Sequence, residues 1–309
     1  MIKRTLCFAN PTYLSTKNQQ LVVNYPDKET ASKTVPIEDI GVVVLENAQI
    51  TISNALITHL MDNNVVVVTC NAQHLPCSLM LPLVGHTEHN ERLRFQLTAS
   101  IPLRKNLWQQ TVEQKIKNQA ALLREQKHVS FSVVKRMLEL SKTVASGDVQ
   151  NNEGQAAAIY WNHLFEIEDF TRGRKEIPPN NLLNYGYAIL RAVCARSLVG
   201  SGLLPSYGIF HANKYNSYCL ADDIMEPYRP YVDALVCDLI AQGHDYEKLS
   251  PSLKQALLKI PALDVVVEGK KSPLLVAMSR TTSSLNDCFA GVSRKINYPE
   301  YGSGSFFKA

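Results

Sequence analysis

The sequence predicts an α+β protein: a small N-terminal β domain, sandwich-like and holding one helix, over residues 1–83, followed by a larger all-α domain over 84–309 that carries a metal site. Three observations predict it. At 309 residues the chain exceeds the size at which one core stops growing. Its apolar pattern is short and β-like as far as Leu83, and from His89 onward it takes the helical period. The polar residues that could do chemistry concentrate late, between Ser206 and Pro230. A composition of 45% hydrophobic and 19% charged residues is that of an ordinary globular protein. No apolar run reaches the roughly 20 residues of a membrane span, and the apolar part of Met1–Asn10 is too short for a secretory signal, so a cytoplasmic protein with no membrane partner is expected.

In chain order, β-like segments run from Ile2 to Phe8, Gln20 to Tyr25, Lys33 to Ile37, Ile40 to Leu45 and Val65 to Cys70, separated by Asn, Asp, Pro and Lys. Between the last two, Ser53 precedes apolar residues at helical spacing (Ala55, Leu56, Ile57, Leu60, Met61), which predicts one crossing helix. The second domain reads as helices at about Asn90–Ala99, Pro102–Gln126, Ser130–Ala145, Glu153–Phe165, Asn181–Val199, Tyr231–Ala241, Pro251–Leu258 and Pro273–Ala290. Glu268–Pro273 reads as a turn, and Ser146–Asn152 as a polar loop whose Asn152 caps the next helix. The last residues, Gly302–Ala309, read as a flexible tail with two adjacent phenylalanines.

Seven scattered cysteines, none in a Cys-x-x-Cys pair, predict reduced thiols and no zinc site. The net charge of +4 is mild, but basic residues cluster in the helical domain at Arg92/Arg94, Arg104/Lys105, Lys115/Lys117, Lys135/Arg136, Arg172-Gly-Arg174-Lys175, Lys270/Lys271 and Arg294/Lys295. Any one pair reads as a solvated helix face. Together they favour a polyanionic partner bound in a salt-dependent way. Tyr160 and Trp161 offer stacking surfaces, yet share helical spacing with Ala156, Ala157 and Leu164, the pattern of a core face.

Within Ser206–Pro230 one histidine, His211, stands in a turn beside Asn213 and Lys214, ahead of Asp222, Asp223 and Glu226. With Glu153 at a helix start, these supply two carboxylates and an imidazole, a donor set that suits magnesium or manganese, which polarises a phosphate. The residues alone leave plainer roles open. Glu153 also complements a helix dipole, Asp223 and Glu226 have capping-box spacing, and a lone histidine is often only hydrogen-bonded.

The blocks Asn151-Asn-Glu-Gly-Gln-Ala-Ala-Ala-Ile-Tyr-Trp161 and Gly208-Ile-Phe-His-Ala-Asn-Lys-Tyr-Asn-Ser-Tyr-Cys-Leu-Ala-Asp-Asp-Ile-Met-Glu-Pro-Tyr-Arg-Pro230 resemble the signatures of the CRISPR-associated integrase that captures new spacers, in its type II form. The resemblance implies that Glu153, His211 and Glu226 are the catalytic, metal-binding triad for magnesium or manganese. Many relatives have aspartate as third ligand, which leaves Asp222 and Asp223 as second choices with supporting or capping roles. It further implies joining of the 3′-hydroxyl ends of short duplex DNA to a CRISPR repeat by transesterification. The implied assembly is a homodimer built through the β domain, complexed with a smaller ferredoxin-like adaptation protein, with other type II CRISPR proteins as further candidate partners. Asn213 and Lys214 become candidate phosphate contacts, with Arg92, Arg94, Arg172, Arg174 and Lys175 as candidate DNA contacts. Two other functions fit the same residues: a structure-selective endonuclease with water as nucleophile, and a non-catalytic DNA-binding scaffold.

Overall fold

The computed structural model describes residues 3–27, 29–173 and 177–302. Its N-terminal part holds two four-stranded sheets. One runs β1 (Arg4–Phe8), β5 (Ile40–Leu45), β7 (Val66–Cys70), β8 (Pro76–Met80), with the first three parallel and β8 antiparallel. The other runs β4 (Lys33–Pro36), β3 (Gln20–Asn24), β2 (Tyr13–Lys17), β6 (Thr51–Ile52). Asn18 and Gln19, both at positive φ, form the two-residue turn between β2 and β3, whose twist matches that of the strands. Helix α1 (Asn54–Asp62) starts at Ser53, whose hydroxyl accepts the Leu56 N–H.

The valine runs of β5 and β7 are buried on both faces, as central parallel strands must be. Val43 and Val67 point into a small core with Leu14, Leu21, Leu56 and Leu60. Their neighbours Val42, Val44, Val66 and Val68 point the other way and join the core of the helical part. The strand-rich and helical parts are therefore packed through one sheet.

The helical part comprises α2 (His89–Leu97), α3 (Ile101–Glu125), α4 (Phe131–Lys142), α5 (Asn152–Leu164), α6 (Asn180–Gly200), α7 (Cys219–Met225), α8 (Arg229–Ala241), α9 (Pro251–Leu257) and α10 (Leu274–Phe289). It is not purely α. Asp264–Val267 (β9) and Lys270–Pro273 (β10) pair as a hairpin across Glu268 and Gly269, both at positive φ, so the expected turn there is the tip of a small sheet. Helix α7 lies between Val199 and Tyr231, where the sequence pattern predicts no helix. Of the expected tail Gly302–Ala309 all but Gly302, and Ile2 of the expected strand Ile2–Phe8, lie outside the described residues. All seven cysteines are free.

Helix α6 is buried on nearly every side and is the axis of the helical part. At Gly186 a Cβ would stand 2.5 Å from Val232 Cγ1, so α8 lies directly against its backbone. Polar ties hold these helices in register. Asn118 on α3 donates to the carbonyls of Pro227 and Pro299 and accepts the Tyr301 N–H. Asp233 on α8 accepts from Tyr160 of α5 at 2.7 Å and Tyr187 of α6 at 2.5 Å. Burial pushes the Asp233 carboxyl up to about 6, against the pull of the two phenols.

That shift has a measurable sign. Between the ordinary aspartate range and about pH 6 the folded chain keeps a proton that the unfolded chain has released, so this group's contribution to stability falls as pH rises through the window. Asp233→Asn keeps an acceptor and has no proton to lose. Urea unfolding of both proteins should show the wild type losing about 3 kcal/mol relative to the variant across that window. A pH-independent difference would mean that Asp233 titrates alike in both states.

Candidate metal centre

Glu153 stands in the first turn of α5, and that turn is tied off by other residues. Asn151 Oδ1 accepts the Gly154 N–H, and the Asp148 carboxylate accepts those of Asn152 at 2.8 Å and Glu153 at 3.0 Å. Asn151 is thus the cap, and the expected cap, Asn152, is the first helical residue. With the helix amides served, the Glu153 side chain turns to α3, where its Oε1 lies 2.6 Å from Lys115 Nζ.

Glu226 opens a short 3-10 turn, Glu226–Tyr228, that links α7 to α8. Its side chain is 5% exposed and meets the same ammonium, with Lys115 Nζ 2.7 Å from Oε2, while Arg229 Nη2 is 2.9 Å from Oε1. Burial works to raise the Glu226 pKa, and Arg229 and Lys115 reverse this, leaving the carboxyl below its usual range. Lys115 shows the mirror case. Its burial works to lower the pKa, and the two glutamates carry it above the usual lysine value. Two carboxylates from separate elements therefore converge on one buried cation.

His211 is set by Asp223. The fully buried Asp223 carboxylate accepts the backbone N–H groups of Ile209, Phe210 and His211, and the His211 Nδ1–H at 2.5 Å. Asp223 is therefore no helix cap; it folds the loop. At Gly208 a Cβ would fall 2.4 Å from the His211 carbonyl and 2.8 Å from Asp223 Oδ2, so only glycine lets the loop close. Asp223 raises the His211 pKa chiefly through the side-chain hydrogen bond, with further contributions from the charges of Glu226 and Glu153. With Nδ1 engaged, Nε2 is left to face outward on a side chain 41% exposed. A carboxylate behind a histidine in this manner orients the ring and fixes its tautomer in metal sites. Burial drives the Asp223 pKa upward, opposed by the same hydrogen bonds. Asp222 faces elsewhere, paired with Arg191 at 2.6 and 3.1 Å and accepting from Asn216.

The donor set suits a hard divalent ion. Glu226 Oε2 is buried, and its partner is the Lys115 ammonium at 2.7 Å. The ammonium holds the point between the carboxylates, and among the described residues no three His, Cys, Asp or Glu side chains close into a shell.

The expected DNA contacts divide. Asn213 and Lys214 are exposed beside His211, with Lys214 Nζ 4.9 Å from the Tyr215 ring centre, and Arg94 is exposed on α2. Arg92 is tied to Glu88 and to the Ser201 carbonyl. Arg172 donates to Asn180, Asn184 and Gly173 and lies over Trp161 and Tyr187. Arg174 and Lys175 lie outside the described residues. A cavity of about 250 Å³ is lined by Lys115, Gln119, Trp161, Arg172, Gly173, Tyr187, Arg229 and Asp233.

Sequence reasoning missed Lys115, Arg229 and Asp148 as parts of the site. Lys115 had a signal: it occupies the same face of α3 as the buried Trp108, Val112, Gln119 and Leu122, where a lysine needs a partner.

Residues 6–267 match the family described as CRISPR associated protein Cas1. The CRISPR-associated endonuclease Cas1 of Neisseria meningitidis serogroup C (strain 8013) is 39% identical over 295 residues, covering 96% of this chain and 94% of that protein. Among solved structures, a casposase bound to integration product matches with TM-score 0.78 and 21% identity, over 97% of this chain and 94% of that one. A Cas6-RT-Cas1–Cas2 complex matches with TM-score 0.74 and 19% identity, over 98% of this chain and 36% of that one. These two share the fold, while the matched residues and the Neisseria relative carry the kinship: the chain belongs to the Cas1 family.

Proposed function

We propose that this chain is a metal-dependent DNA integrase of CRISPR adaptation, of the type II form. It would join the 3′-hydroxyl ends of short duplex DNA to the CRISPR repeat. The observation that carries the reading is the convergence of Glu153 and Glu226 on one buried positive charge, beside an imidazole whose Nδ1 is pinned by Asp223. Glu153, His211 and Glu226 would hold magnesium or manganese, with Lys115 yielding the position between the carboxylates. A divalent ion there would polarise the phosphodiester and stabilise the departing oxygen.

The chain's own residues would do the rest. While the ring is neutral, Asp223 would hold the proton on Nδ1 of His211 and leave the lone pair on Nε2. Arg229 and Lys115 are cations placed to receive non-bridging phosphate oxygens, and Arg94, Asn213 and Lys214 are open to neighbouring phosphates. In the transfer, the donor 3′ oxygen bonds to phosphorus as the repeat's own P–O3′ bond breaks. The number of phosphodiester bonds is conserved, so no nucleoside triphosphate is required. A homodimer formed through the β domain, and a complex with a small Cas2-like adaptation protein, are part of the proposal, supported by the resemblance and by a fold neighbour solved as a Cas6-RT-Cas1–Cas2 complex.

That the Neisseria relative is a CRISPR-associated endonuclease favours a second reading with water as nucleophile. A labelled short duplex offered to a repeat-bearing supercoiled plasmid in manganese separates them. Joining from a 3′-hydroxyl donor and not from a 3′-phosphate donor marks an integrase, and plasmid cutting that ignores the donor marks the hydrolytic enzyme.

Glu153→Gln, His211→Asn and Glu226→Gln should each lower joining by more than the roughly 10- to 100-fold expected for removing a partner behind a ligand, with DNA binding kept. Chelation should do the same to the wild type. Near-full joining by any one variant would remove that residue from the metal site. Affinity for duplex DNA should drop by about 10³ to 10⁵ between 50 and 200 mM salt if six to ten phosphates are neutralised. Filter binding that shows no salt slope would refute the electrostatic interface.

A further inference from the structure

We propose that Lys115 and Gln119 are a positioning pair for the metal site: the Lys115 ammonium keeps the place between Glu153 and Glu226 for a divalent ion, and yields it by moving to a second seat on Gln119. The inference rests on the metal-dependent reading given above. It starts from a buried acceptor that has nothing to accept. Gln119, on α3, is 3% exposed, and among the described residues its Oε1 is buried without a hydrogen-bond partner. An amide oxygen left unpaired in the interior costs free energy, so its presence asks for a donor that reaches it in another state of the protein.

The donor stands one helical turn away. Lys115 and Gln119 are four residues apart on α3, the spacing that sets two side chains side by side, and both line the same cavity of about 250 Å³. The ammonium lies 2.6 Å from Glu153 and 2.7 Å from Glu226. A divalent ion held by those carboxylates needs that place, and two cations cannot share it. Lys115 is itself buried, so the cavity it already lines is the room into which its head group can turn. Besides Gln119, the wall holds the Asp233 carboxylate and the rings of Trp161 and Tyr187, which all receive a cation. The other cations of the wall are anchored, Arg172 by Asn180, Asn184 and the Gly173 carbonyl, and Arg229 by Glu226. Lysine, a point charge on a flexible stem, is the one built to move.

Metal binding then carries the work of moving the ammonium, and Gln119 returns part of it. If the carboxylates are free of Lys115 in about 1 to 10% of metal-free molecules, apparent metal affinity is weakened by about 10- to 100-fold. Removing the ammonium lifts that penalty, whereas removing the Gln119 oxygen deepens it. Two residues that touch no metal therefore act on its affinity in opposite directions.

The test measures Mn2+ binding to the full chain by water-proton relaxation, without DNA, so that no joining is needed. Lys115→Met should bind Mn2+ about 10- to 100-fold more tightly than wild type, and Gln119→Leu about 10-fold more weakly. In the Lys115→Met background Gln119→Leu should change nothing, because no ammonium is left to seat. Thermal melting in chelator separates this from a structural role: Gln119→Leu loses only an unpaired acceptor and should melt no lower than wild type. Gln119→Leu, read alone, decides the matter where Lys115→Met does not fold. Wild-type Mn2+ affinity in Gln119→Leu would overturn the proposal and leave the metal-dependent reading standing, as would an equal loss from Gln119→Leu with and without Lys115. No Mn2+ binding by either wild type or Lys115→Met would overturn the metal-dependent reading and the proposal with it.

Discussion

The site depends on the buried ammonium of Lys115. Glu153 arrives from the start of α5 and Glu226 from the turn between α7 and α8, and each places an oxygen within 2.7 Å of the same nitrogen. Two carboxylates brought together in a low-dielectric interior would otherwise push one another toward protonation. With Lys115 between them and Arg229 on the far oxygen of Glu226, burial does not neutralise Glu226, which is held ionised below its usual range. Loss of either partner from so buried a set leaves an uncompensated charge, which is more costly than the pair is favourable. The arrangement is thus better understood as a preorganised cluster of paired charges than as a source of stability.

The other acids of the region are divided among separate tasks. Asp148 receives the first amides of α5 and so frees Glu153 from capping. Asp223 takes three loop amides and the imidazole, and Asp222, its neighbour in sequence, points away to Arg191. Asp233 ties α5, α6 and α8 through two phenols. Each ligand candidate therefore has its position set by another polar group on a packed helix, which is what keeps a constellation within the tolerance that chemistry demands.

Much of this was legible in the sequence, and what was not has identifiable causes. Helices such as α3 and α6 declared themselves because their apolar positions recur over many turns, and the valine runs of β5 and β7 because buried parallel strands are continuous in apolar residues. Strands β2, β6 and β8 did not, being short or carrying Ser, Thr, Lys and Pro on exposed faces. The hairpin of β9 and β10 was reduced to its turn, since four-residue strands in a helical context give little period to count. Glu153, His211 and Glu226 were found as residue types in a motif. The cation that gathers two of them was filed with Lys117 as surface charge, because burial of a lysine is a tertiary fact that only its place on the α3 stripe foreshadowed.

The gradient of exposure across the site gives the direction from which a substrate must come. Glu226 and Asp223 are buried, Lys115 nearly so, and His211 and Phe210 are substantially open. On the proposed reading a phosphodiester would meet the loop face first, where His211, the Phe210 ring and Lys214 are exposed. Only the reacting phosphate needs to reach the carboxylates behind them. Repulsion between DNA and the glutamates would be offset where it is felt, since Arg229 and Lys115 stand beside them and the exposed cation Lys214 lies in the loop that carries His211. On the proposed reading, the buried carboxylates would serve a divalent ion and the exposed cations of the loop a polyanion. The two requirements coexist because they are met at different depths of the same site.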